Sequence, residues 1–305
     1  MFDKLLIPLD TTPLSDPLLD QIEPLVGGGC CEAMLLHVVP PEPQAASDPW
    51  SPEKARDTAR RWIEERAKRL AAIGVTTTFD VVSGDPAEQI LAAALRYRPS
   101  LLAMATHARV GLSRLMLGSV MERVLRRSPF PVFVQNPVSL RDRGTERTRG
   151  FRRILVPVDG SEQALRVLPF VESIARRQES EVTLLAVVSA TPEGVRVEDA
   201  PRPFPVPANL AAEMEGHRAS LERKGVRTHI RIEHGLPSYV ILTLAEEEEV
   251  DLVAMTTHGR SGPSRWVFGS VAERVLRHSS CPLLVVRTAG FSEGAEARDL
   301  DERER

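Results

Sequence analysis

Asp159 ends an apolar run, Ile154 to Val158. Gly269-Ser270 opens an amphipathic stretch, after a loop that begins at Met255-Thr256 and carries Gly259, Arg260 and Gly262. A carboxylate at a strand end can accept hydrogen bonds from a ribose or a base. A glycine-bearing loop leading into a helix can present backbone amides to phosphates, because the helix N-terminus carries partial positive charge and glycine lets the backbone close on a ligand. The combination points to an anion or nucleotide crevice. The commoner phosphate fingerprints are absent. All four lysines (Lys4, Lys54, Lys68, Lys224) stand outside a glycine loop, so there is no GxxxxGK[ST], and Gly27-Gly28-Gly29 reads as a cap and turn rather than GxGxxG. Ser270 and Glu273 have the spacing of a capping box, as do Ser119 and Glu122, which predicts a helix start at each Gly-Ser. Arg260 is placed to meet phosphates. His107 and His258 have no nucleophile and orienting acid marked beside them and read as loop histidines.

Such groups need strand ends and helix starts to hold them. Short apolar runs at 4–9, 33–39, 75–82, 100–106 and 131–135, and again at 153–158, 182–188, 226–233, 251–257 and 282–286, suit strands buried on both faces of a parallel sheet. Amphipathic stretches predict helices at about 14–28, 52–73, 86–97 and 118–127, then 161–178, 207–224, 237–248 and 269–278. Strands alternating with helices imply right-handed βαβ units. In an open sheet of this kind, ligands bind beyond the carboxyl ends of the strands where the strand order reverses. If the first and fourth strands are neighbours there, Asp159 and the 256–270 loop flank one crevice.

The pattern occurs twice. Residues 104–134 and 255–285 are identical at 18 of 31 positions with a fixed offset of 151. Unrelated chains share about one position in fifteen to twenty. LLIPLD (5–10) matches ILVPVD (154–159), and LLHVV (35–39) matches LLAVV (184–188), both at offset 149. A period near 150 residues is one domain's length, far beyond a solenoid's. The expected organisation is therefore two five-stranded α/β domains, 1–139 and 151–288, with a charged linker at 140–150 and a solvated, disordered tail at 289–305.

Composition narrows the class. A net charge of −3 gives no case for nucleic-acid binding. No apolar run reaches the roughly 18 residues of a membrane span, and no leader precedes the strand-like run from Phe2 to Leu9, so a cytoplasmic protein with no membrane partner is expected. Cys30, Cys31 and Cys281 lack metal-site spacing and read as reduced thiols, and seven histidines without HxxxH or HExxH argue against zinc.

The ILVPVDGS opening, the stretch from Thr256 to Ser270 and the ERVLR helix together resemble the universal stress protein family, over 2–137 and 151–288, as a tandem pair. The resemblance implies a parallel sheet of strand order 3-2-1-4-5 with helices on both faces. It also implies, for the ATP-binding branch, a loop Gly-x2-Gly-x9-Gly-Ser/Thr. The second copy reads Thr256-x2-Gly259-x9-Gly269-Ser270, with Thr in place of the first Gly. The implied ligand is ATP, or ADP or AMP, with Mg²⁺ as companion ion. Carried over, Asp159 and Val187 contact the nucleoside, and Gly259, Gly269 and Ser270 the ribose and phosphates. Pro157, Val158, Met255, Thr256, Arg260, Gly262 and Val271 complete the candidate set. The first copy keeps Asp10, Val38, Gly118 and Ser119 but has Ala105 and Ala108 for two glycines, so it is the weaker site.

The expected function is a stress-response protein whose second domain binds an adenine nucleotide as a switch or partner-binding module. No catalytic residue or metal site is assigned, and turnover is at most that of a slow ATPase. Two alternatives stay open: a non-nucleotide scaffold of the same family, and a true hydrolase or adenylate-transferring enzyme. Family domains pair through their last strands, so 131–135 and 282–286 are expected to pair within the chain, with a homodimer as a further expectation.

Overall fold

A computed structural model describes residues 2–12, 15–26, 31–40, 52–105, 117–135, 150–188, 208–257 and 269–287. The tail expected at 289–305, and all of the expected linker except Gly150, lie outside the described residues. The first half contains β1 (Lys4–Pro8), α1 (Ser15–Asp20), α2 (Ile22–Val26), β2 (Glu32–Val39), α3 (Pro52–Ala72), β3 (Thr76–Ser83), α4 (Pro86–Tyr97), β4 (Leu101–Ala105), α5 (Ser119–Arg127) and β5 (Val132–Gln135). The second contains β6 (Arg153–Val158), α6 (Glu162–Leu165), α7 (Leu168–Gln178), β7 (Glu181–Val188), α8 (Ala208–Arg223), β8 (Arg227–His234), α9 (Pro237–Glu247), β9 (Leu252–Thr256), α10 (Ser270–His278) and β10 (Leu283–Val286).

All ten strands form one sheet in the order β3-β2-β1-β4-β5-β10-β9-β6-β7-β8. Each half is thus an α/β unit of order 3-2-1-4-5. Every pairing within a half is parallel, and the single antiparallel pairing joins β5 to β10. Near-continuous burial explains the apolar runs. The central strands β4, β5, β9 and β10 have helices over both faces and no room for polar alternation.

The helices divide between the faces by connection. α1, α2 and α3, with α6, α7 and α8, pack on one face, through Leu18, Ile22, Ile63 and Leu70 and through Val167, Phe170, Ile174 and Met214. α4 and α5, with α9 and α10, pack on the other, through Ile90, Met121 and Val124 and through Ile241, Leu244, Val275 and Leu276. The chain therefore changes face as it passes to β4 beside β1, and to β9 beside β6.

The first helix expected in each half is two helices. α1 stops at Asp20, four residues before Pro24, and α6 stops at Leu165, four residues before Pro169. A proline supplies no amide to the carbonyl four residues back, and its ring collides with that turn, so each helix ends there and restarts with the proline in its first turn.

Phe133 of β5 pairs with Leu284 of β10, flanked by Val132↔Val285 and Val134↔Leu283. On one face the halves share a single core. Phe2 stacks on Phe170 at 6.1 Å between centroids, and Phe151 meets Phe133 edge-on at 5.9 Å. The end of α7 also reaches across. Arg177 Nη1 donates to Val26 O at 3.1 Å and Gln178 Nε2 to Pro24 O at 2.8 Å, satisfying carbonyls that α2 leaves open at its end.

Candidate functional site

Asp159 is the residue after β6, and Val187 lies beside it near the end of β7. Val158 pairs with Ala186, so each is the next position outward on adjacent parallel strands. The carboxylate is held by an Asx turn. Asp159 Oδ1 accepts from the Ser161 amide at 3.0 Å and from Ser161 Oγ at 2.6 Å. Ser161 Oγ in turn accepts from the Ala164 amide at 3.1 Å, which caps α6. Gly160, at φ +77°, makes the turn between them in a conformation that side chains resist. Asp10 repeats the device at the end of β1. Its Oδ1 accepts from the Thr12 amide at 3.2 Å, from Thr12 Oγ1 at 2.7 Å and from Ser15 Oγ at 3.0 Å.

β9 lies on the other side of β6, with Leu155 opposite Val253, and β10 follows, with Thr256 opposite Val286. Asp159 and the end of β9 therefore border the carboxyl-end crevice where the chain changes face, the switch point at which open α/β sheets bind ligands. The Thr257 amide donates to Val286 O at 3.0 Å, and the Gly269 amide donates to Thr257 O at 3.0 Å. Gly259, Arg260 and Gly262 lie outside the described residues, but the two ends of their loop meet in that one hydrogen bond.

Gly269 is the N-cap of α10, and no side chain caps the helix. This corrects the capping-box expectation: Ser270 is one residue inside the helix and exposed, so its hydroxyl is not at the cap position. Glu273 reaches forward to Arg277, one turn on, instead of back to the cap. The first half is built the same way. Gly118 caps α5 without a side-chain bond, Ser119 is inside the helix, and Glu122 pairs with Arg126 at 2.8 Å. The first intrahelical bond of α10 runs from the Glu273 amide to Gly269 O at 3.0 Å, so the Ser270, Val271 and Ala272 amides precede it. Neither N-cap glycine is required by its backbone. Gly269 sits at φ −62°, ψ 141° and Gly118 at φ −58°, ψ 142°, which any residue adopts, and a Cβ on Gly118 would meet nothing within 4 Å.

The remaining candidates fall on two faces. Met255, buried in β9, and the half-buried Val187 and Val271 pack into the core on the α9–α10 side. Val158 is buried on the α6–α7 side, and Thr256, 7% exposed and one residue after Met255, shares that side by strand alternation. Pro157 is half-buried opposite Leu185, and Val38 is the counterpart of Val187 in the first half. Sequence reasoning passed over Arg287, which follows β10 at the same end of the sheet. Partial burial lowers its guanidinium below the ordinary arginine value. Its only signal was position, since Asn136 stands at the matching place.

Among the described residues no group of three or more His, Cys, Asp or Glu is arranged to hold a metal ion, and no helix is long and apolar enough to cross a membrane.

The model of the universal stress protein family matches residues 1–135 and 150–287. A universal stress protein of Methanocaldococcus jannaschii is 33% identical over 144 residues, covering 45% of this chain and 82% of its own. A putative universal stress protein of Staphylococcus haemolyticus is 32% identical over 148 residues, covering 47% of this chain and 88% of its own. Among solved structures, a universal stress protein from Archaeoglobus fulgidus superposes over 95% of this chain and 100% of its own, with TM-score 0.72 and 24% identity, a likeness of fold.

Proposed function

The chain belongs to the universal stress protein family, and on that premise we propose that its second domain, 151–288, binds an adenine nucleotide, ATP first among ATP, ADP and AMP, in the crevice between β6 and β9. The observation that carries the reading is the start of α10. Its N-cap is a glycine that neither φ nor ψ demands, its first amides have no side-chain cap, and it is tied by Thr257 to the end of β9, one strand from Asp159. Asp159, pre-set by Ser161, takes the nucleoside's hydroxyls. Val187, Met255 and Val271 offer the base an apolar wall. Gly259, Arg260, Gly262, Gly269 and Ser270 receive the phosphates, and any Mg²⁺ travels with the nucleotide.

The first domain, 1–139, keeps Asp10, Val38, Gly118 and Ser119 but has Ala105 and Ala108 in its loop, and is the weaker site. β5 and β10 hold the two domains as a permanent pair, and nucleotide occupancy in the second biases what this cytoplasmic stress-response protein binds. Turnover is not required.

Thermal unfolding with ATP and Mg²⁺, beside Gly269→Val, tests the reading. Ligand at a hundred times Kd should stabilise the native state by about 2.7 kcal/mol. A saturable rise in Tm that the variant lacks is expected. No rise at millimolar ATP, with no nucleotide carried through purification, overturns it in favour of the scaffold reading.

A further inference from the structure

The two halves part chemically on one outer helix surface. In the first, Asp85 and Glu88 at the start of α4 engage α5: Asp85 Oδ2 and Glu88 Oε1 each lie 2.8 Å from Arg123, and Glu88 also pairs with Arg127. Arg123 holds the Asp85 carboxyl below its ordinary range, and Arg127 and then Arg123 do the same for Glu88. At offset 151 the same four positions are Leu236, the N-cap of α9, Tyr239 in α9, and Arg274 and His278 in α10, and α9 and α10 pack together as α4 and α5 do. Leu236 and Tyr239 are each 68% exposed. Arg274 is exposed and forms no ion pair among the described residues, and His278 Nδ1 lies 2.8 Å from Arg274 O.

The opposite charge stands further along the same helix. Tyr239, Thr243, Glu246 and Glu247 are spaced to share one stripe of α9, and Glu246 and Glu247 are exposed with no ion pair among the described residues. An apolar and cationic patch at one end of a stripe, with two carboxylates at the other, is self-complementary under a two-fold axis across the helix. Tyr239 and Arg274 stand at the positions where Glu88 and Arg123 touch in the first half, and tyrosine and arginine are among the residues that interface centres favour.

We propose that this face docks a second copy of the chain, α9 against α9 antiparallel, with Leu236 and Tyr239 covered and Glu246 and Glu247 of each copy against Arg274 and His278 of the other. The contact is separate from the β5–β10 pairing, which is used within the chain, and it does not depend on nucleotide. A single helix pair buries less than a standard interface, so the association is weak and salt-sensitive.

Sedimentation velocity of the full chain, from about 1 to about 300 μM at low salt, reads it directly, since that range populates weak, transient contacts. The weight-average mass should climb toward twice the chain mass. Leu236→Asp with Tyr239→Glu installs the first domain's residues and gives Arg274 an acid within the same chain, so the fold is retained while association weakens at least tenfold. Exchanging the charges, Arg274→Glu with Glu246→Arg and Glu247→Arg, should restore association relative to Arg274→Glu alone. A wild-type chain that stays monomeric over the whole range overturns the proposal and leaves the patch to an acidic partner. Association undiminished in the double variant overturns it equally.

Discussion

Phe133 pairs with Leu284, the residue 151 positions later that is its own counterpart in the second half. Val132 pairs with Val285, the counterpart of Val134, and Val134 with Leu283, the counterpart of Val132. The register is that of an isologous dimer interface, drawn within one chain. Phe133 is fully buried and touches Phe151 of the other half, so Phe133→Ala should cost about 3–5 kcal/mol. Urea unfolding of the full chain measures it. A loss below about 1 kcal/mol would mean that the two halves do not rely on this seam.

Ser161 connects stability to the proposed site, because one hydroxyl caps α6 and steadies Asp159. Ser161→Ala should lower stability by about 1 kcal/mol, the usual loss for a cap. It should also weaken ATP binding several-fold, read by calorimetry. Stability lost with affinity unchanged would remove Asp159 from the contact set.

Thr256 stands where the resemblance implies the first glycine of a nucleotide loop, but it is buried and alternates onto the α6–α7 side of β9, away from Met255. Thr256→Gly should therefore lower stability by roughly 1 kcal/mol or more, through lost packing and a glycine in a strand. The ATP dissociation constant should stay within about threefold. A tenfold tightening would show that the threonine obstructs the ligand.

Cys31 gives a pH signature. Burial first, and then the Asp3 carboxylate, push its thiol from 9.0 up to about 11. The folded protein keeps that proton in a range where the unfolded chain has lost it. The contribution is thus complete below pH 9 and is lost as pH rises toward 11, at no more than about 1.4 kcal/mol per pH unit. Urea midpoints of the wild type should fall more steeply across that window than those of Cys31→Ala. Parallel curves would place the thiol in water.

The strand ladder was largely legible because buried parallel strands are read as uninterrupted apolar runs, and the repeat allowed each run to be checked against its twin. β6 spans 153–158 as expected, and the other strands differ from the expected runs by one residue at one or both ends. The capping-box spacing at 270–273 misled, since Ser-x-x-Glu also arises when the serine is inside the helix and the glutamate pairs forward. The breaks before Pro24 and Pro169 were present in the sequence, but an amphipathic period running across them concealed the missing hydrogen bonds. The contacts of Phe2 with Phe170 and of Arg177 with Val26 O had no local signature: they exist only once two distant segments are packed. Likewise nothing local in the sequence marked the exposure of Leu236, the N-cap of α9, or of Tyr239 within it; their contrast with Asp85 and Glu88 emerges when the two halves are compared at matching positions.

The β5–β10 seam also changes what a mutation can do. In a dimer of identical chains every substitution appears on both sides of the axis, and a residue that improves one site while spoiling a contact does so twice. Here the axis runs between two stretches of one gene product, so each change is made once. That freedom is visible in the alanines at 105 and 108 against Thr256 and Gly259, and in the ion network of α4 and α5 against the bare tyrosine of α9. The covalent link keeps the partners together at any cellular concentration while allowing them to become different proteins.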